Sequence, residues 1–463
     1  MDNKNINLSY LYLIVFISAL GGLLFGYDWV VIGGAKPFYE KFFNISNVPA
    51  LQGWAMSCAL IGCLLGAILS GLLSDKFGRK RLLILSAILF MISAYGTGAT
   101  SNFNYFIFFR IFGGLGIGLA SNLSPMYIAE ISPEKMRGKL VSINQFTIVI
   151  GILLAQIINW QIADQVPFNA TDSEILASWN GQLGWRWMFW AELIPASLFL
   201  LFMIIVPESP RWLVKNGFSE KAKKILSKIG GQEYAKNEFN NISESLKNTE
   251  DKIDYGFLFS LKMRKVLIIG IVLAAFQQWC GINVIFNYAE EVFEAAGFGV
   301  SDILFNIVLT GSVNLVFTLV AIYTVDIWGR RALMLMGSGA LAGIYFFMGL
   351  AYFFEISGWI LLLLVVLAIA CYAMSLAPVT WVILSEIFPN KIRGSAMAIS
   401  TISLWLASFI LTYTFPLLNN ALNASGTFWL YGIISIAGFT FIYKNLPETK
   451  NKSLESIEKE LIK

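Results

Sequence analysis

The sequence predicts an all-α integral membrane protein with twelve transmembrane helices. Of its 463 residues, 57% are hydrophobic and only 13% are charged, and the mean hydropathy is +0.68. A water-soluble core cannot hide that much apolar surface, so lipid must solvate part of it. About 20 apolar residues in a helix cross a bilayer core, and stretches of that kind recur along the whole chain. The lipid bilayer is therefore the first predicted partner.

The apolar stretches form two sets of six. The first set is predicted at residues 9–34, 53–74, 82–100, 103–125, 139–162 and 186–206. The second set is predicted at residues 264–288, 300–324, 332–354, 358–384, 395–418 and 426–446. We expect two pseudo-symmetric six-helix bundles, at 1–206 and 263–446, with a linker at 207–262 between them and a tail at 447–463. The polar pattern of the linker is compatible with short helices on the cytoplasmic face or with a solvated connection.

The positions of the basic residues predict the orientation of the chain. Of the 33 Lys and Arg residues, most lie in loops on one side of the predicted spans, and only Lys36 and Lys41 are predicted at the opposite side. The positive-inside rule places the basic side, and both termini with it, in the cytoplasm. The net charge of +4 thus reflects membrane topology, and no nucleic-acid partner is expected.

The residues that are scarce limit the chemistry. The chain has no histidine, so proton transfer near neutral pH must use carboxylates or water. All four cysteines lie within predicted spans, at a spacing that indicates neither disulfides nor a four-ligand metal site. We expect no cofactor and no metal. The sequence also contains no nucleophile with a base and no phosphate-binding loop, which argues against an enzyme.

Three loop motifs occur once in each half. GLLSDKFGRKR at 71–81 matches DIWGRR at 326–331, and PMYIAEISPEKMRG at 125–138 matches WVILSEIFPNKIRG at 381–394. PESPR at 207–211 matches PETK at 447–450. These pairs indicate that a six-span unit was duplicated. Duplicated halves are typical of transporters that rock around a substrate held near the midplane.

The charged residues of these motifs are candidates for a cytoplasmic gate. An acid and an arginine at short spacing can pair across helix ends, and we expect Glu130 with Arg137, Glu386 with Arg393 and Glu208 with Arg211 to complete such networks. A gate needs contacts that differ between states. The alternative is that these charges only set the topology. The candidates are Asp75, Arg79, Glu130, Arg137, Glu208, Arg211, Asp326, Arg330, Glu386, Arg393 and Glu448.

Ionisable residues within the spans are candidates for proton coupling. On insertion scales such a side chain costs at least about 2.5 to 3.5 kcal/mol, so its presence indicates a function. Contact between Asp28 in the first span and Arg110 in the fourth would favour ionised Asp28, and separation would favour its protonation. A structural ion pair is the alternative. Glu192 in the sixth span is a second candidate for assisting the proton.

The seventh span offers groups that suit a hydroxyl-rich ligand. Gln277 and Gln278 precede Gly281, and Asn283 and Asn287 follow four residues apart on one helix face. A sugar needs groups that both donate and accept hydrogen bonds, together with aromatic side chains. Hydrogen bonding between helices is the alternative role of these amides.

The motifs GRKR, PESPRWL, PETK and FQQWCGIN, with the doubled Glu/Arg loops, together resemble the sugar porter family of the major facilitator superfamily. GGLLFGYD, SPMYIAE, GKLVSINQF and SEIFPNKIRG are most similar to bacterial D-xylose/proton symporters. The resemblance implies a major facilitator fold in a bacterial inner membrane, and a functional monomer that carries a pentose or hexose together with protons. It also implies that Asp28 is the proton carrier. Gln145, Asn314, Trp381 and Trp405 complete the candidate sugar contacts.

The chain departs from that pattern at four positions near the expected sugar site. Asn287 stands where the xylose symporters have Tyr, and Leu404 stands where they have Gln. Leu376 and Ala377 stand where they have Trp and Gly. D-Xylose and D-glucose are the best guesses, with galactose, arabinose and inositol open. A facilitative uniporter and a membrane sugar sensor are alternative functions, although passive uniporters of the family commonly have Asn in place of Asp28.

Overall fold

Helices long and apolar enough to cross a membrane make up most of the computed structural model. The structure describes residues 6–168, 170–247, 258, 260–356, 358–389, 392–450 and 452, apart from the side chains at 261, 262, 322 and 326. Within these residues, eleven helical stretches meet the length and hydropathy of a span. The last, Arg393–Asn445, has 53 residues, and left-handed backbone at Asn423 (φ 57°) divides it into two helices. The twelve predicted spans are therefore confirmed.

The helices of the two bundles flank a helical linker. The first bundle contains α1 (Leu8–Phe42), α2 (Pro49–Phe77), α3 (Arg79–Ala99), α4 (Phe103–Ile131), α5 (Arg137–Ile162), α6 (Asp172–Ala177), α7 (Trp185–Trp190) and α8 (Leu193–Ile205). The linker contains α9 (Pro210–Lys215) and α10 (Ser219–Lys247). The second bundle contains α11 (Leu261–Trp279), α12 (Ile282–Asn287), α13 (Ala289–Glu294), α14 (Val300–Trp328), α15 (Arg330–Phe353), α16 (Trp359–Met374), α17 (Leu376–Ile387) and α18 (Arg393–Asn445).

The linker helices pack on one end of the first bundle. The indole N–H of Trp212 in α9 donates to the carbonyl of Asp75 (2.9 Å), and the backbone N–H of Asn7 donates to Ile229 in α10 (2.7 Å). We call this end the linker face, and the end that carries the turn at 43–48, α6 and α13 the distal face. The described part of the linker is helical, and positive φ at Gly231 (82°) divides α10 into two shorter helices, while their position at a membrane surface stays a prediction.

The first span is longer than its apolar pattern predicts. The prediction ended at residue 34, but α1 continues to Phe42 and keeps Lys36 and Glu40 buried. Asp28 consequently lies well inside α1 rather than near its end. The two charges are tolerated because oppositely charged side chains surround Lys36.

Small residues bring the spans of the first bundle into close contact. A side chain at Gly114 would collide with the carbonyl of Ala59, and one at Gly118 would collide with the carbonyl of Cys63. This small-residue spacing lets α4 pack against α2 backbone to backbone. The close packing fixes the position of Arg110, which lies one turn before Gly114 on α4.

Candidate functional site

A buried ion pair joins α1 to α4 in the first bundle. The Arg110 guanidinium donates to Oδ1 of Asp28 and also to its backbone carbonyl (3.3 Å). Asp28 is fully buried and Arg110 is 2% exposed. The other carboxylate oxygen, Oδ2 of Asp28, has no hydrogen-bond partner among the described residues. The predicted contact between these two residues is therefore present, and it uses only one of the two carboxylate oxygens of Asp28.

Glu192 is the third ionisable group of this site. It lies between α7 and α8 and is 1% exposed, and its charge interacts with those of Asp28 and Arg110. In the described part of the chain, neither of its carboxylate oxygens has a hydrogen-bond partner. Burial of a carboxylate without hydrogen-bond donors is costly, which makes Glu192 an unusual residue for this position. The structure thus brings together all three predicted coupling residues.

The amides of the seventh span form a connected network. Left-handed backbone at Gly281 (φ 87°) separates α11 from α12, which only glycine adopts without strain. Gln277 donates to the carbonyls of Ala377 (2.9 Å) and Leu376 (3.4 Å) in α17. Gln278 donates to Gln277 (3.3 Å), and Asn283 donates to Gln278. The network holds these buried amides against the tenth span.

Asn287 links this region to the ion pair. A narrow cavity of the described structure is lined by Asn287 of the second bundle and by Trp29, Cys63 and Arg110 of the first. Asn287 is 5% exposed, and its Oδ1 has no hydrogen-bond partner among the described residues. A group in this cavity would touch both the amide and the guanidinium. The cavity, about 10 Å³ in volume, is large enough for about one water molecule and places Asn287 and Arg110 on the same small space.

The remaining predicted sugar contacts are more scattered. Trp405 is buried and its ring lies 6.1 Å from Phe25 and 6.0 Å from Trp29, which forms an aromatic contact between the bundles. Asn314 is buried in α14, whereas Gln145 in α5 and Trp381 in α17 are exposed. Among the described residues, no hydrogen bond joins Gln145, Asn314 or Trp381 to the amide network.

Sequence reasoning missed Gln156 in α5. It is 2% exposed, and its amide lies against Gly311 of α14, so it contacts the other bundle. Neither its oxygen nor its nitrogen has a hydrogen-bond partner within the described residues. The signal was present, since Gln156 is an amide inside an apolar run, as Gln277 is.

The charged motifs of the first half form one network at the linker face. Arg79 pairs with Asp75 (3.3 Å) and with Glu130 (2.8 Å). Glu208 accepts hydrogen bonds from the backbone N–H groups of Arg79 (3.0 Å) and Lys80 (3.1 Å) at the start of α3. A carboxylate at a helix N-terminus is stabilised by the free N–H groups and by the helix dipole.

The second half repeats this arrangement. Arg330 pairs with Glu386 (3.2 Å), and Glu448 accepts from the backbone N–H groups of Arg330 (3.0 Å) and Arg331 (3.1 Å). The side chain of Asp326, which was also predicted here, lies outside the described residues. The repeated motifs thus make equivalent contacts in both bundles.

The three expected pairings are replaced by other contacts. Glu130 and Glu386 pair with Arg79 and Arg330 rather than with the arginines nearest in sequence. Those arginines bond to backbone instead, Arg137 to the carbonyl of Ala129 (3.1 Å) and Arg393 to that of Phe388 (3.2 Å). Arg211 is exposed, and Glu208 caps α3. Among the described motif residues, the ion pairs of Arg79 lie within the first half and the pair of Arg330 with Glu386 lies within the second.

Comparison with known proteins identifies the family. The model of the family described as Sugar (and other) transporter matches residues 14–461. The chain belongs to this family. Because the family and the relatives are transporters, the protein is not an enzyme.

The similarity to two relatives and to a solved structure extends over nearly the full length of the chain. It is 41% identical to the D-xylose-proton symporter of Escherichia coli strain K12, over 98% of this chain and 96% of the relative. It is 38% identical to the arabinose-proton symporter of Bacillus subtilis strain 168, over 99% of this chain and 96% of the relative. The structure of the inward open conformation of the xylose transporter XylE from E. coli matches with a TM-score of 0.86 at 39% identity. The match covers 98% of this chain and 100% of that structure.

Proposed function

We propose that the protein is a proton-coupled sugar symporter that works by alternating access. The buried Asp28–Arg110 ion pair, with Oδ2 of Asp28 left without a donor, is the observation that carries this proposal. The names of the two relatives, both proton symporters for a pentose, support it. Asp28 is the proton carrier, Arg110 is its counter-charge, and Glu192 assists.

Proton uptake follows from the balance of charge around Asp28. While Arg110 donates to it, Asp28 is stable as an anion inside the apolar bundle. When Arg110 turns away, the anion keeps neither partner nor solvent, and a proton on Oδ2 removes the charge. Arg110 also lines the cavity shared with Asn287. A sugar hydroxyl in that cavity competes for the guanidinium, which couples sugar binding to protonation.

The sugar binds between the bundles, against the amide network of the seventh span. Gln277, Gln278 and Asn283 supply donors and acceptors, and the Trp405 indole provides an apolar surface for the sugar ring. Gln145, Asn314 and Trp381 join them as the bundles move. The substrate is a pentose or hexose, with D-xylose and D-glucose as the first to test.

The linker face is cytoplasmic, and the protein spans a bacterial inner membrane as a functional monomer. The positive-inside bias of the loops supports this orientation. The ion pairs at the linker face each lie within one bundle, whereas ion pairs at the distal face join the two bundles. This difference supports a state that is closed at the distal face. The charged motifs act as the cytoplasmic gate by exchanging these partners in the opposite state.

Uptake of labelled sugar into proteoliposomes tests the proposal. D-Xylose and D-glucose are offered with and without an inward proton gradient, to the wild type and to Asp28→Asn. We expect the gradient to drive accumulation in the wild type only, while exchange of sugar down its own gradient remains in the variant. Asp302→Asn, which removes an exposed carboxylate from the first turn of α14, is the matched control and should behave as the wild type.

Other outcomes point to other functions. Equilibration that ignores the proton gradient in both proteins would identify a facilitative uniporter and leave Asp28 a structural charge. Binding without movement of either sugar would favour a sensor.

A further inference from the structure

A buried cluster of four ionisable side chains lies at the distal face. Nζ of Lys36 lies 3.1 Å from a carboxylate oxygen of Glu40, 3.1 Å from one of Glu290 and 2.8 Å from one of Glu291. Lys36 is 2% exposed and Glu40 is 4% exposed. We call Lys36, Glu40, Glu290 and Glu291 the distal cluster. Three carboxylates surround a single ammonium group.

The distal cluster joins the two bundles. Lys36 and Glu40 belong to α1, whereas Glu290 and Glu291 belong to α13. The backbone of α1 also meets the second bundle here, since a side chain at Gly33 would press on the carbonyl of Phe286. The distal ends of α1 and α13 cannot separate unless Lys36 gives up both of its partners on α13. The pairs at the linker face, in contrast, each lie within one bundle.

The charge of the cluster is not balanced. With every group ionised it would carry two more negative than positive charges in a buried site, and burial and like charges both oppose this. Glu291 lies beyond the seventh span, which ends at Asn287. Burial together with the charges of Glu290 and Glu40 raises the pKa of Glu291 to about 8, against the opposing effect of Lys36. About 20% of the Glu291 side chain is accessible, so it can exchange protons with the distal solution.

We propose that the distal cluster is a pH-sensitive latch, which holds the distal face closed while it carries an extra proton and releases it when that proton leaves. The latch is distinct from the proposed proton carrier Asp28. It acts on the balance between the two states of the transporter and does not travel with the sugar. Protonation removes one negative charge, so Lys36 then holds α13 against α1 with less repulsion among the carboxylates.

The direction of the pH effect follows from proton binding. While the distal face is closed, the pKa of Glu291 is about 8. After opening, Glu291 is solvated and its pKa returns toward its ordinary value of 4.5. Between these values the closed state holds one more proton than the open state. Raising the pH within this window therefore favours opening, by up to about tenfold per pH unit. Above the window both states have lost the proton, and the dependence ends.

Several titratable or charged groups of the described structure surround Glu291, and Lys41 of α1 and Asp172 of α6 act on the neighbouring Glu294. On α1 these are Lys36, Tyr39 and Glu40, and on α13 they are Glu290 and Glu294, with Tyr288 next to that helix. From α2, Gln52 donates to Glu40 (2.8 Å) and does not titrate. Asp28 also titrates during transport under the proposed function, so the test is made in an Asp28→Asn background.

A distance measurement tests the latch without any need for transport. Spin labels are placed at Asn44→Cys in the first bundle and Ala295→Cys in the second, both exposed at the distal face, after replacement of the four native cysteines. The fraction of long distances is measured by pulsed electron paramagnetic resonance in nanodiscs between pH 5.5 and 9. In the parent we expect the ratio of open to closed to rise by up to about tenfold per unit between pH 6 and 7.5, and to level off above pH 8.

Variants assign the effect to the cluster. Glu291→Gln mimics the protonated acid at every pH, so its distal face should stay closed and its pH profile should be flat. Lys36→Gln should raise the open fraction at least about tenfold at every pH, because it removes both contacts between the bundles. Lys41→Gln is the matched control, since Lys41 pairs at the same face with Asp172, which lies in the same bundle (3.5 Å). Its distances should equal those of the parent.

Two results would overturn the proposal. A pH profile of Glu291→Gln equal to that of the parent would show that the proton is held elsewhere. Parent-like distances in Lys36→Gln would show that the cluster does not hold the face closed. Glu291→Gln is isosteric and keeps Lys36 paired, so it remains informative even if Lys36→Gln does not fold. Failure of the symport proposal would appear in the uptake assay and leave these distances unchanged.

Discussion

The space around the Asp28 side chain, inside an apolar bundle, is shaped for one charged partner. Arg110 donates to its carboxylate and to its carbonyl, and the guanidinium also lies 5.7 Å from the Phe189 ring. Gly113 leaves room for Oδ2 of Asp28, since a Cβ at this position would press on that oxygen and on Ser93. The orientation of the carboxylate is therefore set as much by the missing side chain at 113 as by Arg110.

We expect Gly113→Ala to impair coupling. The added methyl group must displace the Asp28 carboxylate or the Ser93 hydroxyl, and such overpacking costs about 1 to 3 kcal/mol. Proton-driven accumulation should fall at least about tenfold, and the melting temperature should drop. Gly343→Ala, in α15 with open space around its Cβ, should change neither. Unchanged accumulation in Gly113→Ala would mean that the carboxylate orientation is not critical.

We expect Gln278→Leu to weaken sugar binding. Gln278 connects Gln277 to Asn283, and a side chain that cannot hydrogen-bond leaves both amides without that partner. A lost hydrogen bond is worth about 1 kcal/mol, so KM for sugar exchange should rise by about five- to tenfold. Asn445→Leu, which removes an amide at the linker face, is the control. An equal KM in both variants would contradict a sugar site at the seventh span.

The sequence alone locates single residues of the site but not their partners. Asp28, Arg110, Glu192 and the seventh-span amides stand out because polar groups in an apolar run are costly. Their partners depend on which helices are neighbours. Glu130 was expected to bond Arg137, seven residues away, and instead bonds Arg79. The roles of these residues in transport stay predictions.

At the scale of helices, one helix in each half begins in the same way. Gly78 and Gly329 both have φ near 89°, and each precedes a helix whose first N–H groups donate to a distant glutamate, Glu208 or Glu448. A side chain at either glycine would collide with that carboxylate. The end of each bundle is thereby tied to the loop between two of its own spans.

We expect Gly78→Ala and Gly329→Ala each to destabilise the protein. The left-handed backbone alone costs a residue with a side chain about 1 to 2 kcal/mol, and displacing the capping glutamate adds about 1 kcal/mol. Gly217→Ala separates the two effects, since Gly217 has the same positive φ (81°) but open space around its Cβ. In thermal unfolding, both variants should lose more stability than Gly217→Ala. Equal losses would show that the glutamate caps contribute nothing.

The apolar pattern predicted the existence of the spans better than their ends. The prediction for α1 stopped before Lys36, because a charged residue marks a loop when its surroundings are unknown. The structure buries Lys36 against Glu290 and Glu291, about 250 positions away in the sequence, so the helix continues. The break at Ser375 within the tenth span was also missed, since the residues around it are apolar.

For the whole molecule, the repeated motifs predicted the duplicated bundles, and the equivalent contacts of Arg79 and Arg330 confirm the symmetry. The two ends nevertheless differ. Ion pairs cross between the bundles at the distal face, and at the linker face they do not among the described motif residues. The sequence could not predict which face is closed, because both states must be encoded by the same residues.

We expect the last two spans to enter the membrane together as a single helical hairpin. A straight helix of 53 residues would be about 80 Å long, more than twice the thickness of a bilayer core, so α18 must fold back at Asn423. The stretch 419–427 around this turn contains no Lys or Arg, so no positive charge resists its passage through the membrane. The insertion machinery therefore meets two apolar helices that are already joined, and the final pair can enter the bilayer in one step.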